Sequence, residues 1–231
     1  MRYFLVPAAA IAATLVSTPA LAQDSRWYVG GDVGILLPRN TEVDITDVTT
    51  GSTFDNAIDI QHNTGWEIDG NVGYDMGMFK FEGEASFKHS NFDAVDPSAA
   101  WVSFLQARVP GVIVVDQDID LDDGIDIISL MGNGMVDFGS DDGFGGYIGG
   151  GLGLGWAKAY DESEGSFAWQ LIAGVRYPVS ENIDIGVKYK YFDMSSLDWR
   201  TGTDVRGTNF NINLDGNYRS HSILLNFTYN M

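Results

Sequence analysis

Eight stretches of the chain alternate apolar and polar residues with a period of two. Such alternation puts the two kinds of side chain on opposite faces of a β-strand. In the first stretch, Trp27, Val29 and Val33 fall on one face and Asp32 on the other. The eight stretches are residues 27–36, 66–74, 79–88, 128–138, 147–156, 167–177, 183–191 and 223–231. The pattern predicts an all-β protein.

The connections between these stretches alternate between two kinds. Residues 75–78, 139–143 and 178–182 are short and rich in turn-forming residues, as in hairpins. The others are residues 37–63, 89–123, 157–165 and 193–216, of which all but the third are long. Because consecutive strands of a meander run antiparallel, every short connection lies at one end. This asymmetry is typical of transmembrane β-barrels with short periplasmic turns and longer external loops.

Aromatic residues on the apolar face gather near both strand ends, which predicts two aromatic girdles. At the short-turn end they are Trp27, Tyr74, Phe79, Phe138 and Tyr177, and at the long-loop end Trp66, Phe87, Trp156, Phe167 and Tyr191. At about 3.3 Å per residue and a tilt of about 40°, the girdles stand about 20 Å apart. This separation is close to the height of the apolar band on membrane barrels.

The first 22 residues have the composition of a secretory signal peptide. Arg2 precedes the apolar residues 3–16, and Ala20 and Ala22 form a small-residue cleavage site. The apolar core is too short for a spanning helix, and residues 23–231 contain no longer apolar run. We expect residues 1–22 to be removed and residues 23–231 to form one outer-membrane β-barrel domain.

Composition excludes several classes of site. The chain has no cysteine, which excludes disulfides and cysteine-based metal sites. Its formal net charge of -19 disfavours nucleic acid as a partner. No cofactor is expected.

The segments 27–35, 129–138, 147–154, 167–178 and 222–231 resemble the small outer membrane β-barrel family. That family is typified by the N-terminal domain of outer membrane protein A and includes opacity and surface-antigen proteins. The resemblance implies an eight-stranded antiparallel up-and-down transmembrane β-barrel in the outer membrane of a Gram-negative bacterium. It also implies three partners: outer-membrane lipids with lipopolysaccharide, the barrel assembly machinery and an unknown extracellular partner.

The chain departs from the family pattern at its C-terminus. The assembly signal would comprise Phe227, Tyr229 and Met231, but family members usually end in Phe. Recognition by the assembly machinery is therefore expected to be weaker. No peptidoglycan-binding domain follows the eighth strand, so the cell-wall tethering of some family members is not expected here.

The polar face carries many charges, which would lie in the lumen. An eight-stranded barrel is just wide enough for side chains to fill it, and enclosed charges must pair. Two paired groups are expected from their height along the strands. One comprises Glu67, Asp69, Glu84, Lys188 and Lys190, and the other Lys80, Glu82, Arg176 and Asp184. By resemblance, Glu67 and Lys188 correspond to a lumen pair of the family.

We predict a non-enzymatic surface barrel that supports outer-membrane integrity and surface interactions, with a small porin-like channel as the alternative. A less favoured alternative is an enzyme that modifies lipid A. Only His62, His89 and His221 could act as its base, and their adjacent serines are Ser90, Ser220 and Ser222. A weak calcium candidate, without the EF-hand spacing, comprises Asp116, Asp118, Asp120, Asp122 and Asp123. The apolar residues 101–105 and 112–115 form either a partner-binding patch or internal packing of the second loop.

Overall fold

The computed structural model describes residues 26–109, 124–139, 143–159, 162–205 and 208–231. These residues form ten β-strands and one α-helix. In chain order they are β1 (Arg26–Pro38), β2 (Thr41–Asp47), β3 (Ser52–His62), β4 (Gly65–Asp75), β5 (Phe79–Pro97), α1 (Ala99–Arg108), β6 (Gly124–Gly139), β7 (Gly145–Ala159), β8 (Glu162–Ser180), β9 (Ile183–Val205) and β10 (Thr208–Asn230). The predicted signal peptide and the residues of the calcium candidate lie outside the described residues.

Eight of the strands close into an antiparallel barrel. Their order around the ring is β1, β4, β5, β6, β7, β8, β9 and β10. Because β1 pairs with both β4 and β10, the ring has no free edge: Val33 lies opposite Ile68 on one side and Leu225 on the other. The predicted eight-stranded up-and-down barrel is confirmed. The last strand closes the cylinder against the first.

The hairpin of β2 and β3 extends the barrel wall at the long-loop end. There, β1 and β4 end while β5 and β10 continue. In the gap that this leaves, β2 pairs with β10 and β3 pairs with β5. The connection over residues 37–63 is therefore long, as predicted, but it forms a two-stranded hairpin instead of a loop. The alternation of Thr41, Val43, Ile45 and Asp47 is present in the sequence but covers only seven residues.

Helix α1 lies beside this hairpin, and we call β2, β3 and α1 together the cap. The side chain of Ser98 accepts a hydrogen bond from the Trp101 backbone N–H and caps the helix N-terminus. Trp101 is buried in an apolar cluster with Val43, Ile45 and Ala57. Residues 101–105 thus pack against the hairpin of β2 and β3 instead of within the second loop, and residues 112–115 lie outside the described residues. Among the described residues, no helix is long and apolar enough to cross a membrane.

Most strands of the barrel exceed their predicted stretches, and three of them do so by nine residues or more. β5 continues to Pro97, and β9 and β10 continue through most of residues 193–216, which were expected to be a loop. In this part of β9 and β10, residues are paired up to Val205 opposite Thr208. The sequence of these extensions does not alternate between apolar and polar residues. The reason is that the wall here rises above the apolar band and needs no apolar outer face.

The wall is apolar outside and polar inside. Leu225 on β10 is 66% exposed and Leu152 on β7 is 63% exposed, whereas the lumen side chains Lys88, Lys188 and Lys190 are almost fully buried. A soluble protein has the opposite arrangement. An exterior that is apolar on all eight strands would aggregate in water, so the barrel wall requires apolar surroundings.

Candidate functional site

The charged side chains on the inward face of the barrel strands lie in the lumen. Five of them form a central network. We use this name for Glu67, Asp69, Glu84, Lys88 and Lys190. The Lys190 Nζ lies 2.7 Å from a Glu67 oxygen, 2.7 Å from Asp69 and 2.8 Å from Glu84. The Lys88 Nζ lies 3.0 Å from Glu67. All the paired side chains are completely buried.

Neutral donors add hydrogen bonds to two of these carboxylates, Glu67 and Glu84, whereas the Asp69 Oδ1 has no hydrogen-bond partner among the described residues. The Ser222 hydroxyl donates to Glu67, and the amides of Gln170 and Asn133 each donate to Glu84 at 3.2 Å. Gly151 makes room for Asn133, since a Cβ at that position would lie 2.0 Å from the Asn133 Oδ1. Buried charges are tolerated when their remaining lone pairs are hydrogen-bonded. The network therefore fills the lumen with a fixed set of polar contacts.

A second group surrounds Lys188, nearer the short turns. The Lys188 Nζ lies 2.7 Å from Asp32 and 4.0 Å from Glu82. Asp32 also accepts hydrogen bonds from the Asn71 and Asn226 amides. Glu82 accepts from Tyr28 and Asn133, and the Asn133 side chain thereby links this group to the central network.

The lumen is wetter at the short-turn end. Lys80 lies 2.5 Å from Asp137 and 3.1 Å from Asp75, and Arg176 makes two 3.1 Å hydrogen bonds to Asp137. The Lys80 and Arg176 side chains are 13% and 12% exposed. A cavity of about 30 Å³ reaches from Lys80 to Lys188, and one of about 560 Å³ opens at the mouth. Water can therefore enter the lumen from this end.

An apolar layer covers the central network on the long-loop side. It consists of Ile125, Ile127, Met131, Ala157, Ala168, Phe192, Met194 and Tyr218, with Phe92 packed against it. Ile127, Phe192 and Met194 are fully buried. The Lys88 Nζ lies 4.3 Å from the centre of the Phe192 ring, so the layer rests directly on the network. The lumen is thus dry at one end and hydrated at the other.

The expected pairings differ from those observed. Glu67 pairs with Lys88 and Lys190 instead of Lys188. Strand register places Glu67 level with Lys188 through β1 and β10. In a tilted, staggered barrel, however, residues in register are not at one height across the lumen. The prediction of a Glu67–Lys188 pair is therefore wrong.

At the short-turn end, Lys80, Glu82, Arg176 and Asp184 line one cavity as expected, but the observed ion pairs involve an acid outside this group. Lys80 and Arg176 share Asp137, whereas Asp184 accepts a hydrogen bond from Asn230. The neutral donors Tyr28, Asn71, Ser222 and Asn226 were not predicted as partners of the lumen charges. The sequence does place each of these four residues on the inward face of its strand, so each could have been recognised as a possible partner.

The three histidines lie at the long-loop end and have different partners. His62 Nε2 lies 3.1 Å from the Thr41 hydroxyl, and His221 Nδ1 lies 2.7 Å from the Tyr189 hydroxyl. His89 Nδ1 lies 2.7 Å from Asp126. Within the described ranges, no histidine hydrogen-bonds to a serine and no cluster of three acidic or histidine side chains is arranged to hold a metal ion.

Two titratable groups of the cap are perturbed. Burial lowers the pKa of His62 from 6.5 to about 4, since its ring packs against Phe92 and Tyr218. At Asp47, burial opposes ionisation, but hydrogen bonds from Thr49 and Thr50 and the charge of Arg108 together hold the pKa below its usual value. Arg108 lies 2.9 Å from Asp47 and joins the end of α1 to β2.

The predicted girdle residues lie on the outer face of the wall, near the two strand ends. Trp27 contacts Tyr74 at a centroid distance of 5.1 Å, and Trp66 contacts Phe87 at 5.3 Å. The exposed members are Trp27, Trp66, Phe79, Phe138, Trp156, Phe167 and Tyr177. Tyr191 contacts Trp169, an aromatic residue outside the predicted girdles. The assembly-signal residues Phe227, Tyr229 and Met231 also face outward, each about half exposed.

Comparisons with known proteins agree on the fold. The family model described as outer membrane protein beta-barrel domain matches residues 8–219. The outer membrane protein OprG from Pseudomonas aeruginosa is 14% identical with a TM-score of 0.57, covering 90% of this chain and 96% of that one. No curated protein matches the sequence.

Two further solved structures are similar over most of their length. Neisserial surface protein A is 14% identical with a TM-score of 0.49, covering 90% of this chain and 99% of that one. The outer membrane protease OmpT from Escherichia coli is 11% identical with a TM-score of 0.44, covering 93% and 99%.

Proposed function

The chain belongs to the outer membrane protein beta-barrel domain family, and on this premise we propose that it is a closed, non-enzymatic surface barrel. Its role would be to support outer-membrane integrity and to present the cap for surface interactions. In barrels of this family the short turns face the periplasm. The cap therefore lies outside the cell, and the hydrated end of the lumen opens to the periplasm.

The observation that carries this proposal is the filled outer half of the lumen. The apolar layer lies across the ring, and the central network beneath it is completely buried. An ion that crosses the barrel would have to displace both Phe192 and the contacts of Lys190. Breaking a buried ion pair without replacing its partner costs several kcal/mol, on the order of 3–5.

The described histidines support a non-enzymatic role. A nucleophilic hydroxyl needs an aligned base, and that base needs an orienting acid. The Thr41 hydroxyl is hydrogen-bonded to His62, as a nucleophile is to its base. The His62 Nδ1, however, has no hydrogen-bond partner among the described residues, so no acid orients the ring. His89 has an acid in Asp126, but no hydroxyl group among the described residues bonds to its ring. His221 is bonded to the Tyr189 hydroxyl, but no acid among the described residues bonds to its ring. None of the three arrangements forms a complete triad.

A small porin-like channel is the second candidate. The cavities at the periplasmic mouth favour it, because the wider one reaches about 560 Å³ and is lined by Arg26, Lys80, Arg176 and Asp184. The narrow cavity above it reaches only as far as Lys188. The two candidates therefore differ in whether the outer half of the lumen opens.

Planar-bilayer recording separates the candidates. We expect the folded protein to give no stable conductance steps, because the apolar layer and the central network remain in place. A matched pair of variants then tests where the closure lies. Phe192→Gly, in the apolar layer, should give rare brief openings, whereas Thr228→Gly, in the periplasmic cavity, should leave the barrel silent. Stable conductance steps from the unaltered protein would contradict the closed barrel and favour the channel.

The C-terminal residues Phe227, Tyr229 and Met231 are proposed to act as the assembly signal. They face outward on β10, the strand that closes the barrel against β1. Met231 replaces the aromatic residue typical of the family. We expect Met231→Phe to raise the folded yield in the outer membrane, measured as the fraction of heat-modifiable protein on gels. A lower yield would contradict this role.

A further inference from the structure

The central network contains more acids than lysines. Glu67, Asp69 and Glu84 share Lys88 and Lys190, and the side chains of all five residues are completely buried. If every group were ionised, the network would carry one negative charge in excess. A buried charge without a counter-charge is so unfavourable that the group is neutralised instead. The network therefore has to bind one further positive charge.

The neighbouring Lys188 does not supply this charge. It pairs with Asp32 and Glu82, which already outnumber it. That second group, however, adjoins the narrow cavity that Glu82 and Lys188 line, and Glu82 also accepts hydrogen bonds from Tyr28 and Asn133. Its own excess charge can therefore be stabilised by water. The lining of that cavity includes no member of the central network, so the same explanation does not extend to the dry half.

Asp69 is the acid of the network with the fewest partners. Glu67 contacts both lysines and accepts a hydrogen bond from Ser222. Glu84 is bonded by Lys190 and by two side-chain amides. Asp69 is bonded through its Oδ2 to Lys190, whereas its buried Oδ1 has no partner within the described ranges. An oxygen that no donor reaches is the one that can carry a proton, because a protonated carboxyl oxygen is itself a donor.

Strand register places a second acid directly beside Asp69. Asp69 on β4 lies opposite Asp32 on β1, and both side chains are buried. Like charges at directly opposite positions destabilise an antiparallel pair. Asp32 is well satisfied as a carboxylate, because it accepts hydrogen bonds from Lys188, Asn71 and Asn226. A neutral Asp69 would remove the repulsion and leave these contacts intact.

Hydrogen-bond donors are also in deficit in this part of the lumen. Like the Asp69 Oδ1, the amide oxygens of Asn71 and Gln170 are buried and have no donor among the described residues. No buried side-chain nitrogen of the described lumen residues lacks an acceptor. A proton on a carboxyl group adds a positive charge and a donor together, and it needs no cavity. A metal ion would add the charge but no donor.

We propose that Asp69 is a proton-binding site. Its Oδ1 holds a proton, its Oδ2 continues to accept the hydrogen bond from Lys190, and the side chain is a neutral carboxylic acid in the folded barrel. Two carboxylates and two lysines then balance, so the dry half of the lumen has no excess charge that would attract a cation from the periplasmic mouth. The inference does not rest on the proposed function, because it applies to a closed barrel and to a channel alike.

The surroundings of Asp69 single out this acid. The charged groups that face it come from four strands, and three further strands contribute neutral side chains. The charged groups are Asp32 on β1, Glu67 on β4, Glu84 and Lys88 on β5 and Lys190 on β9, and the neutral side chains are Asn133 on β6, Gln170 on β8 and Ser222 on β10.

Infrared spectroscopy of the full chain, folded in lipid vesicles at neutral pH, tests the proposal. A protonated carboxyl group has a carbonyl stretching band that carboxylates lack. We expect such a band in the unaltered protein, and it should shift when the aspartate side chains carry ¹³C and stay in place when the glutamate side chains do. This labelling needs no variant, so it is decisive even if a variant fails to fold. The band should disappear in Asp69→Asn and persist in Glu84→Gln.

The same two variants form a matched pair for stability. Asp69→Asn replaces one neutral group by another, with an acceptor for Lys190 and N–H donors in place of the O–H. Its urea midpoint of unfolding should therefore equal that of the unaltered protein within error. Glu84→Gln removes a carboxylate that shares the same lysine, so its midpoint should shift to lower urea.

Four results would overturn the proposal. They are the absence of an aspartate carbonyl band in the unaltered protein, survival of that band in Asp69→Asn, a larger fall in midpoint for Asp69→Asn than for Glu84→Gln, and stabilisation by Na⁺ over choline at equal ionic strength that is lost in Asp69→Asn. The last result would assign the missing charge to a metal ion. None of these measurements reports on conductance, so failure of this site and failure of the closed barrel can be told apart.

Discussion

The two halves of the lumen are lined by the same alternating strands but differ in hydration. In the outer half, Lys190 is completely buried among three carboxylates and lies under the apolar layer. In the inner half, Lys80 and Arg176 also pair with carboxylates, but both remain partly exposed beside a cavity that opens to the periplasm. A lysine in the outer half therefore depends entirely on its partners, whereas one in the inner half can also be hydrated.

The difference arises from what continues beyond each end of the ring. On the outer side, β5, β9 and β10 rise above the membrane, and the cap fills the gap over β1 and β4. Inward side chains there are apolar, such as Phe192 and Met194. On the inner side the strands end in short turns, and the inward side chains meet water. The closure that we propose for this barrel would thus be a property of its external extension.

Removal of the lysine amine should have the largest effect and should differ between the two halves. Lys190→Met leaves Glu67, Asp69 and Glu84 without their shared cation, and we expect the free energy of unfolding to fall by about 3–5 kcal/mol. Lys80→Met should cost only about 1 kcal/mol, since Asp137 keeps Arg176 as a partner and water can reach the position of the lost amine. Urea unfolding in lipid vesicles, followed by gel mobility, measures both.

Equal losses in the two lysine variants would contradict the contrast between a dry and a hydrated half. The conservative variant Lys190→Arg provides a control for charge. It keeps the cation but enlarges the side chain, so it should recover part of the loss. The periplasmic Lys80→Arg should be nearly neutral, because the open cavity accommodates the larger group.

Truncation of apolar lumen residues should have the next largest effect. Phe192→Ala removes a fully buried ring from the apolar layer, and we expect a loss of about 3–4 kcal/mol. Met135→Ala, in the inner half, lines the narrow cavity and should cost about 2 kcal/mol, because water already reaches its surroundings. The same urea titration measures both variants. A larger loss at Met135 than at Phe192 would reverse the assignment of the dry half.

Acidification should loosen the cap by the smallest amount. His62 has a pKa of about 4 in the folded protein and 6.5 when exposed. Between these values only the opened cap binds the proton, so its stability falls as the pH drops from about 6.5 to 4. We expect a loss of on the order of 1–2 kcal/mol over this window. Asp47 contributes little above pH 5, since there it is charged both in the folded cap and in the opened cap, where its pKa is 3.8.

Hydrogen exchange of the β2 and β3 amides at pH 7 and pH 5 measures this effect. Exchange should be faster at pH 5, after correction for the intrinsic rate, while the amides of β7 remain unchanged. His62→Gln keeps a hydrogen-bonding partner for Thr41 but has no proton to gain. Its exchange should therefore show no such pH dependence, and a pH response that persists in His62→Gln would assign the effect to another group.

The barrel could be predicted from the sequence because its signal is local. Alternation over eight or more residues fixes which side chains face inward, and short turns fix which strands are neighbours. The seven residues of β2 and the pattern of α1 gave no comparable signal. Both depend on contacts with distant elements, such as Arg108 with Asp47 and Trp101 with Val43 and Ile45.

The lumen residues could be predicted as a set, but their pairing could not. Every second residue of a strand faces the lumen, so the inward residues follow from the sequence. A contact between Lys190 and Glu67, by contrast, depends on the tilt and stagger of the strands across the whole ring. The length of the side chain makes the pairing still harder to predict, since the amine of a lysine can contact groups at a different height in the lumen from its own Cα. Neutral partners such as Asn226 and Ser222 become recognisable only when the charges that they satisfy have been located.

Single-cysteine labelling in lipid nanodiscs tests the central claim most directly, because the chain has no cysteine of its own. Thr228→Cys lies in the periplasmic cavity, and Ser220→Cys lies fully buried next to Tyr218 of the apolar layer. With both ends of the barrel open to solvent, a water-soluble thiol reagent should label Thr228→Cys readily. It should leave Ser220→Cys unlabelled until the barrel is unfolded by heat. Labelling of Ser220→Cys in the folded barrel at a rate comparable to Thr228→Cys would contradict a lumen that is sealed on its outer side.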